Sequence, residues 1–203
     1  MPVFFQHRIN EHTRLGIWKI EETEEFFRGN VPLHRDVTHP HKRLQHLAGR
    51  FLLQFLFPDF PYEMIQIADT RKPFLADERY HFSISHCGDY AAAIVSRTQR
   101  VGIDIEKPVE KIGRIRDKFL NEGEKQRFVS ASTDLKDLTL LWSAKESVFK
   151  WYGNGAVEFR DHILLGRKHS DTETIEVDFS KTGEQLSVHY REFEHLVLAF
   201  VIS

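Results

Sequence analysis

Cysteine is almost absent from this chain. Cys87 is the single one among 203 residues, so no intramolecular disulfide can form and a reducing, cytoplasmic setting is the expected one. Long apolar runs are missing too. None reaches the roughly 18–20 residues needed to cross a bilayer, so no membrane role is expected. The opening stretch MPVFFQHRINEHTRLG lacks the charged start and long apolar segment of a secretion signal. No sign of charge dominates. With 28 Lys and Arg against 30 Asp and Glu, the formal charge is −2, which argues against a global basic field for nucleic acid or anionic lipid. A Gly/Ser-rich linker is lacking as well, so parts of the chain are expected to pack closely.

The residues present suffice for a core. Apolar residues make up 41% and charged residues 29%, the balance of a folded protein. Residues 42–57, KRLQHLAGRFLLQFLF, predict a helix, because Leu44, Leu47, Ala48, Phe51, Leu52 and Phe55 recur at helical spacing before Pro58. The H-x-H of His39 and His41 reads as a solvated turn ahead of it. MIQIAD (64–69) predicts a short strand and RKP (71–73) a loop. HFSISH (81–86) and YAAAIVS (90–96) predict a hairpin turning at Gly88-Asp89. Residues 111–130 look helical with a break near 121–123. Residues 137–152 predict a second strong helix, ended by Gly153 and Gly155. The remainder predicts strands at 157–165, 174–179, 185–191 and 195–202. A long helix with strands therefore occurs twice, which suggests an α+β fold of two halves, 1–98 and 99–203.

VGIDIE (101–106) is the unusual stretch. In a strand, Val101, Ile103 and Ile105 share one face, and Gly102, Asp104 and Glu106 the other. The two carboxylates then stand about 6.5–7 Å apart on one side. Like charges held close raise each other's pKa unless a cation intervenes. A solvated acidic edge and a metal site are both open at this point. In WSAKESVFK, Trp142, Glu146 and Lys150 follow one another at four-residue intervals on one helical face. Alone, that is an ordinary Glu–Lys pair beside a core tryptophan. His86 ends the SISH strand just before the turn.

Taken together, RKPF (71–74), FSISHCGDYA (82–91), VGIDIE (101–106) and WSAKESVFKWYG (142–153) resemble the signature blocks of the 4′-phosphopantetheinyl transferases. Asp104 and Glu146 are 42 positions apart, which suits the family's G-x-D…K-E-x-x-x-K pattern. Length and the doubled helix resemble the larger, surfactin-synthetase-type branch. That resemblance implies two similar α+β halves forming a pseudodimer, with the active-site cleft between them and a monomeric protein. It implies transfer of the phosphopantetheine arm of coenzyme A to a serine of an apo acyl or peptidyl carrier protein, with release of adenosine 3′,5′-bisphosphate.

It also implies roles. Asp104, Glu106 and Glu146 would be Mg²⁺ ligands, and Glu146 and Lys150 the catalytic pair. Lys145, Ser85 and His86 would contact coenzyme A phosphates. Arg71 and Lys72, in the RKPF block, and Arg43 and Arg50, seven apart on the first helix, are candidates for the nucleotide end, since Arg binds phosphate bidentately. Lys111, Arg114, Arg116, Lys118, Lys125 and Arg127, around Ile115, Phe119 and Leu120, suggest a basic rim for an acidic carrier, although an amphipathic helix packed on its own core explains Phe119 as well. Cys87 departs from the family's frequent serine. Two alternatives remain: another Mg²⁺-dependent phosphate-cleaving enzyme, and a coenzyme-A- or carrier-binding protein without catalysis.

Overall fold

A computed structural model describes residues 3–32, 37–130 and 132–203. The chain divides into two compact units, Met1–Ile103 and Asp104–Ser203. The division falls a few residues past the 98/99 boundary expected from sequence.

The first unit opens with β1 (Val3–Arg8) and β2 (Thr13–Lys19), then a short α1 (Glu24–Arg28) and the long α2 (Pro40–Leu56). After a single 3₁₀ turn at Tyr62–Met64 come β3 (Ile65–Ile67), β4 (Pro73–Leu75), β5 (His81–Cys87) and β6 (Tyr90–Ser96). The main sheet runs β1-β2-β6-β5, antiparallel throughout. β5 and β6 form the expected hairpin, with Cys87 opposite Tyr90 across Gly88-Asp89.

Leu47, Ala48, Leu52, Leu53 and Leu56 of α2 are buried in one cluster with Ala91, Ala93 and Val95 of β6. This is the amphipathic face that the sequence spacing predicts. Gly49 permits an unusually close approach: a Cβ there would lie 2.6 Å from Cγ2 of Ile84 on β5. The H-x-H stretch is a helix start rather than a free turn. Pro40 occupies the first turn of α2, where its missing N–H costs nothing, and the His39 ring accepts from the Lys42 amide. The strand expected at 64–69 is shortened by the 3₁₀ turn.

β7 (Val101–Glu106) crosses the division, and the second unit continues with α3 (Glu110–Phe119), α4 (Glu122–Phe128), α5 (Leu135–Tyr152), a one-turn α6 (Phe159–His162), β8 (Ile163–His169), β9 (Thr174–Phe179), β10 (Glu184–Glu192) and β11 (Val197–Ile202). Its sheet order is β7-β11-β10-β9-β8, with antiparallel pairing from β8 through β11. Leu141, Ala144, Val148 and Trp151 of α5 share a core cluster with Val197, Ala199 and Val201 of β11.

The predicted break in the 111–130 helix has a clear cause. Asn121 caps α4, its side chain accepting from Glu124 N while the Glu124 carboxylate accepts from Asn121 N. α5 ends where Gly153 takes a left-handed conformation at φ 74°. The strand expected over 157–165 is corrected. His162 N–H donates to Glu158 O and its ring accepts from Glu158 N–H, closing the α6 turn before β8 begins. No helix among the described residues is long and apolar enough to cross a membrane.

Candidate active site

β7 is not a solvated acidic edge. Val101, Ile103 and Ile105 are buried, and Asp104 on the opposite face is only 1% exposed. Glu106, at the strand end, is half-buried. The side chain that meets Asp104 comes from α5. Lys150 Nζ lies 2.6 Å from Asp104 Oδ1. Four-residue spacing aligns Trp142, Glu146 and Lys150 on one face of that helix. The Trp142 side chain also donates a hydrogen bond to the Glu106 carboxylate. Its ring is held by Phe119 at 5.2 Å and Phe159 at 5.4 Å between centroids.

The electrostatics follow from this crowding. Burial, then the neighbouring Asp104 charge, pushes the Glu106 carboxyl up to about 7; Glu146 adds to the rise and Lys150 opposes it. Burial also pushes Glu146 up to about 7, with Lys150 pulling it down and Asp104 pushing it up. Burial disfavours the Lys150 ammonium, but Asp104, Glu146 and Glu106 outweigh it and hold its pKa above the usual lysine value. One cation thus faces three carboxylates, two of which are poised to exchange protons near neutrality.

Among the described residues, no three His, Cys, Asp or Glu side chains converge closely enough to hold a metal ion by themselves. Mg²⁺ does not require such a cage, since it commonly uses one or two carboxylates together with substrate phosphates and water. An all-oxygen donor set in which the Asp104 charge raises both Glu106 and Glu146 fits that ion.

Lys145 is placed differently from expectation. The resemblance put it on phosphate, yet its side chain is 0% exposed and its partner Glu124 is 2% exposed. Lys145 Nζ donates to Glu124 at 2.7 and 2.8 Å and to Phe159 O at 2.8 Å. Glu124 also accepts from Leu165 N and Asn121 N, both at 2.8 Å. Burial pushes the Lys145 pKa down to about 8 against the pull of Glu124. The ammonium is therefore a tie between α4, α5, the start of α6 and β8. Adjacent residues on a helix point about 100° apart, so Lys145 turns inward while Glu146 faces β7's acids.

The remaining expected residues lie in the first unit. Ser85 is buried, and His86 is half-buried with its ring 5.2 Å from that of His46 on α2. Arg50 is buried. Arg43 is engaged structurally, with Nε 2.7 Å from Glu24 Oε1 and Nη1 donating to Val37 O at 2.8 Å, which ties α1 to the start of α2. Arg71 sits exposed at φ 66° in a turn closed by its own amide to Ala68 O. Lys72 beside it is pushed down to about 8 by burial and by the Arg100 charge. His81 is lowered by burial, then by Arg100 and Lys72, with Glu78 opposing. Sequence spacing did not disclose Arg100 and His81 as neighbours of Lys72. Nor did it disclose Trp142 as a partner of Glu106, although its four-residue offset from Glu146 was the available signal.

The basic segment is partly corrected. Phe119 and Leu120 are fully buried core residues, not surface anchors. Arg127 donates to Leu165 O at 2.7 Å, and Lys125 pairs with Asp117 and Glu122. Arg116 and Lys118 remain exposed.

Residues 100–201, which hold β7, α5, the carboxylates Asp104, Glu106 and Glu146, and Lys150, match the model of the 4′-phosphopantetheinyl transferase superfamily. The chain belongs to that superfamily. It is 32% identical over 162 residues to enterobactin synthase component D of Escherichia coli K12, covering 77% of this chain and 75% of that protein. It is 34% identical over 150 residues to the Salmonella austin protein of the same name, covering 73% and 59%. A vertebrate relative, the L-aminoadipate-semialdehyde dehydrogenase-phosphopantetheinyl transferase of Xenopus laevis, is 29% identical over 130 residues, covering 54% and 43%. As a phosphopantetheinyl transferase the chain is an enzyme, which sets aside the alternative of a binding protein without catalysis.

Proposed function

We propose that this transferase moves 4′-phosphopantetheine from coenzyme A to a serine of an apo carrier protein and releases adenosine 3′,5′-bisphosphate. The observation that carries the reading is the group on β7 and α5. Asp104, Glu106 and Glu146 surround one lysine, and two of the carboxyls titrate at about 7. Displacement at phosphorus needs alignment and charge neutralisation more than covalent catalysis. The serine oxygen bonds to the phosphorus bearing the pantetheine arm, and the bond from that phosphorus to the bridging oxygen breaks. Glu146 takes the serine proton, since a base with a pKa near the working pH combines availability with driving force. Lys150 stabilises charge that grows on the leaving phosphate.

Asp104, Glu106 and Glu146 would hold Mg²⁺, which supplies charge neutralisation at the diphosphate when bound. Trp142 fixes the orientation of Glu106, as outer hydrogen bonds commonly do for metal-binding carboxylates. Lys72, Arg71, Arg50, Ser85 and His86 are assigned to coenzyme A, supported by the neighbouring charges of Lys72 and Arg100. Lys145 is left out of that set because its ammonium is buried against Glu124. Two similar α+β halves are supported by the recurrence, in each unit, of a long helix on an antiparallel sheet.

Intact mass of an apo carrier, incubated with the enzyme, Mg²⁺ and coenzyme A, is the direct test. A mass gain equal to the phosphopantetheine arm, abolished by chelator, is expected. The enterobactin synthase relatives make a carrier domain of such a synthase the first to try. Coenzyme A cleavage without carrier labelling would favour another phosphate-cleaving enzyme, and no labelling of any of several carriers would overturn the proposal. Exposed Arg116 and Lys118 are the residues expected to meet an acidic carrier. R116E/K118E should raise the carrier KM several-fold and leave the coenzyme A KM unchanged, as rim charges act on encounter.

A further inference from the structure

A cation already stands among the acids. Lys150 Nζ is 2.6 Å from Asp104 Oδ1, on the most deeply buried of the three carboxylates. The Lys150 side chain is 26% exposed and that of Asp104 2%, so the lysine is the more accessible member of the pair. A divalent ion entering alone meets an ammonium on the carboxylate it would use, and two cations beside one carboxylate repel each other. A lysine head is a compact charge on a flexible four-carbon stem. It can leave Asp104 when another anion takes its charge, and the oxygens of a diphosphate are such an anion.

We infer that Lys150 is an internal counter-cation that holds the metal position, so that the carboxylate cluster admits Mg²⁺ together with a diphosphate-bearing ligand and poorly as a free ion. This deepens the function proposed above and rests on it. Lys150 passes from Asp104 to a phosphate oxygen as the metal passes onto Asp104, and no bond is made or broken covalently. Linkage then requires metal and diphosphate to raise each other's affinity by the same factor.

The test is calorimetric titration of Mg²⁺ into the full-length protein, with and without coenzyme A and without any carrier. A buffer at about pH 8.5 keeps Glu106 and Glu146 ionised, since both titrate at about 7. K150M removes the charge, and K150Q removes it while leaving a donor for buried Asp104. The wild type should bind free Mg²⁺ weakly and, with coenzyme A, about tenfold or more tightly. Both variants should bind free Mg²⁺ about tenfold more tightly than the wild type, with a smaller gain from coenzyme A. Equal Mg²⁺ affinity with and without coenzyme A in the wild type would overturn the inference. So would variants that bind free Mg²⁺ no better than wild type while coenzyme A still tightens the wild type, an outcome that leaves the proposed function standing. Absence of Mg²⁺ binding in every protein and condition would sink the carboxylate metal site and the exchange with it.

Discussion

α5 carries two lysine–carboxylate pairs five residues apart, and they are built on opposite principles. Lys145 meets Glu124 in a closed setting, with Phe159 O as further acceptor and the Glu124 oxygens satisfied by backbone amides. Its charges balance one to one. Lys150 meets Asp104 at a more accessible setting in which Glu106 and Glu146 add negative charge that, among the described residues, no second cation pairs with. The first pair is complete without a ligand. The second is left over-charged, and its titrations sit near neutrality. A buried ion pair therefore marks function by its surplus charge rather than by its burial.

The largest expected contrast is in turnover. E146Q should keep the fold and lower turnover by roughly two to four orders of magnitude, in line with loss of a general base; single-turnover carrier labelling measures it. A turnover within threefold of wild type would assign the proton to another group. The next contrast is in stability. K145M leaves Glu124 buried and unpaired, which typically costs about 3–5 kcal/mol, read from urea unfolding. Among molecules that remain folded, the coenzyme A KM should be unchanged, and a raised KM would return Lys145 to the phosphate. K145M/E124Q should recover part of the stability, because the stranded charge is gone.

A smaller effect separates the pairs by pH. Glu106 and Glu146 have folded values of about 7, above the ordinary 4.5. Both therefore bind protons more tightly when folded, and the stability this supplies is present below about 4.5 and lost as pH rises through about 7. Thermal midpoints should fall over that window, and E146Q should fall less. Mg²⁺ plus coenzyme A, which favour the ionised carboxyls, should flatten the slope. In the same window turnover should rise, as the base becomes ionised.

Much of this was legible in the sequence for physical reasons that can be named. α2 and α5 show because their apolar faces repeat at helical spacing, and the β5–β6 hairpin shows because Gly88-Asp89 interrupts two strand-like runs. Alternation put Asp104 and Glu106 on one face and four-residue spacing put Glu146 and Lys150 on another, but only the family resemblance joined the two pairs; the structure brings Lys150 of α5 to Asp104 of β7. β1 was not legible: VFFQHR is an edge strand whose residues are half-buried or exposed, so it lacks a clean alternation. The 157–165 segment misled because a His162 cap, not hydropathy, decides its local form. Lys145 was placed on phosphate by resemblance alone, and nothing in the sequence shows that Glu124 waits beside it; for Phe119 a core anchor and a surface anchor have the same spacing, and the structure takes the core reading.

Gly49 has a consequence beyond packing. Its hydrogen lets α2 settle on Ile84 of β5 at a separation no other residue allows. His46 and Arg50 flank it on the same helix, and His86 follows two places after Ile84. The smallest side chain in the protein thereby acts as the shim that sets the height of these larger groups above their sheet. An alanine at that point would misalign them all at once while leaving every one of them in the sequence.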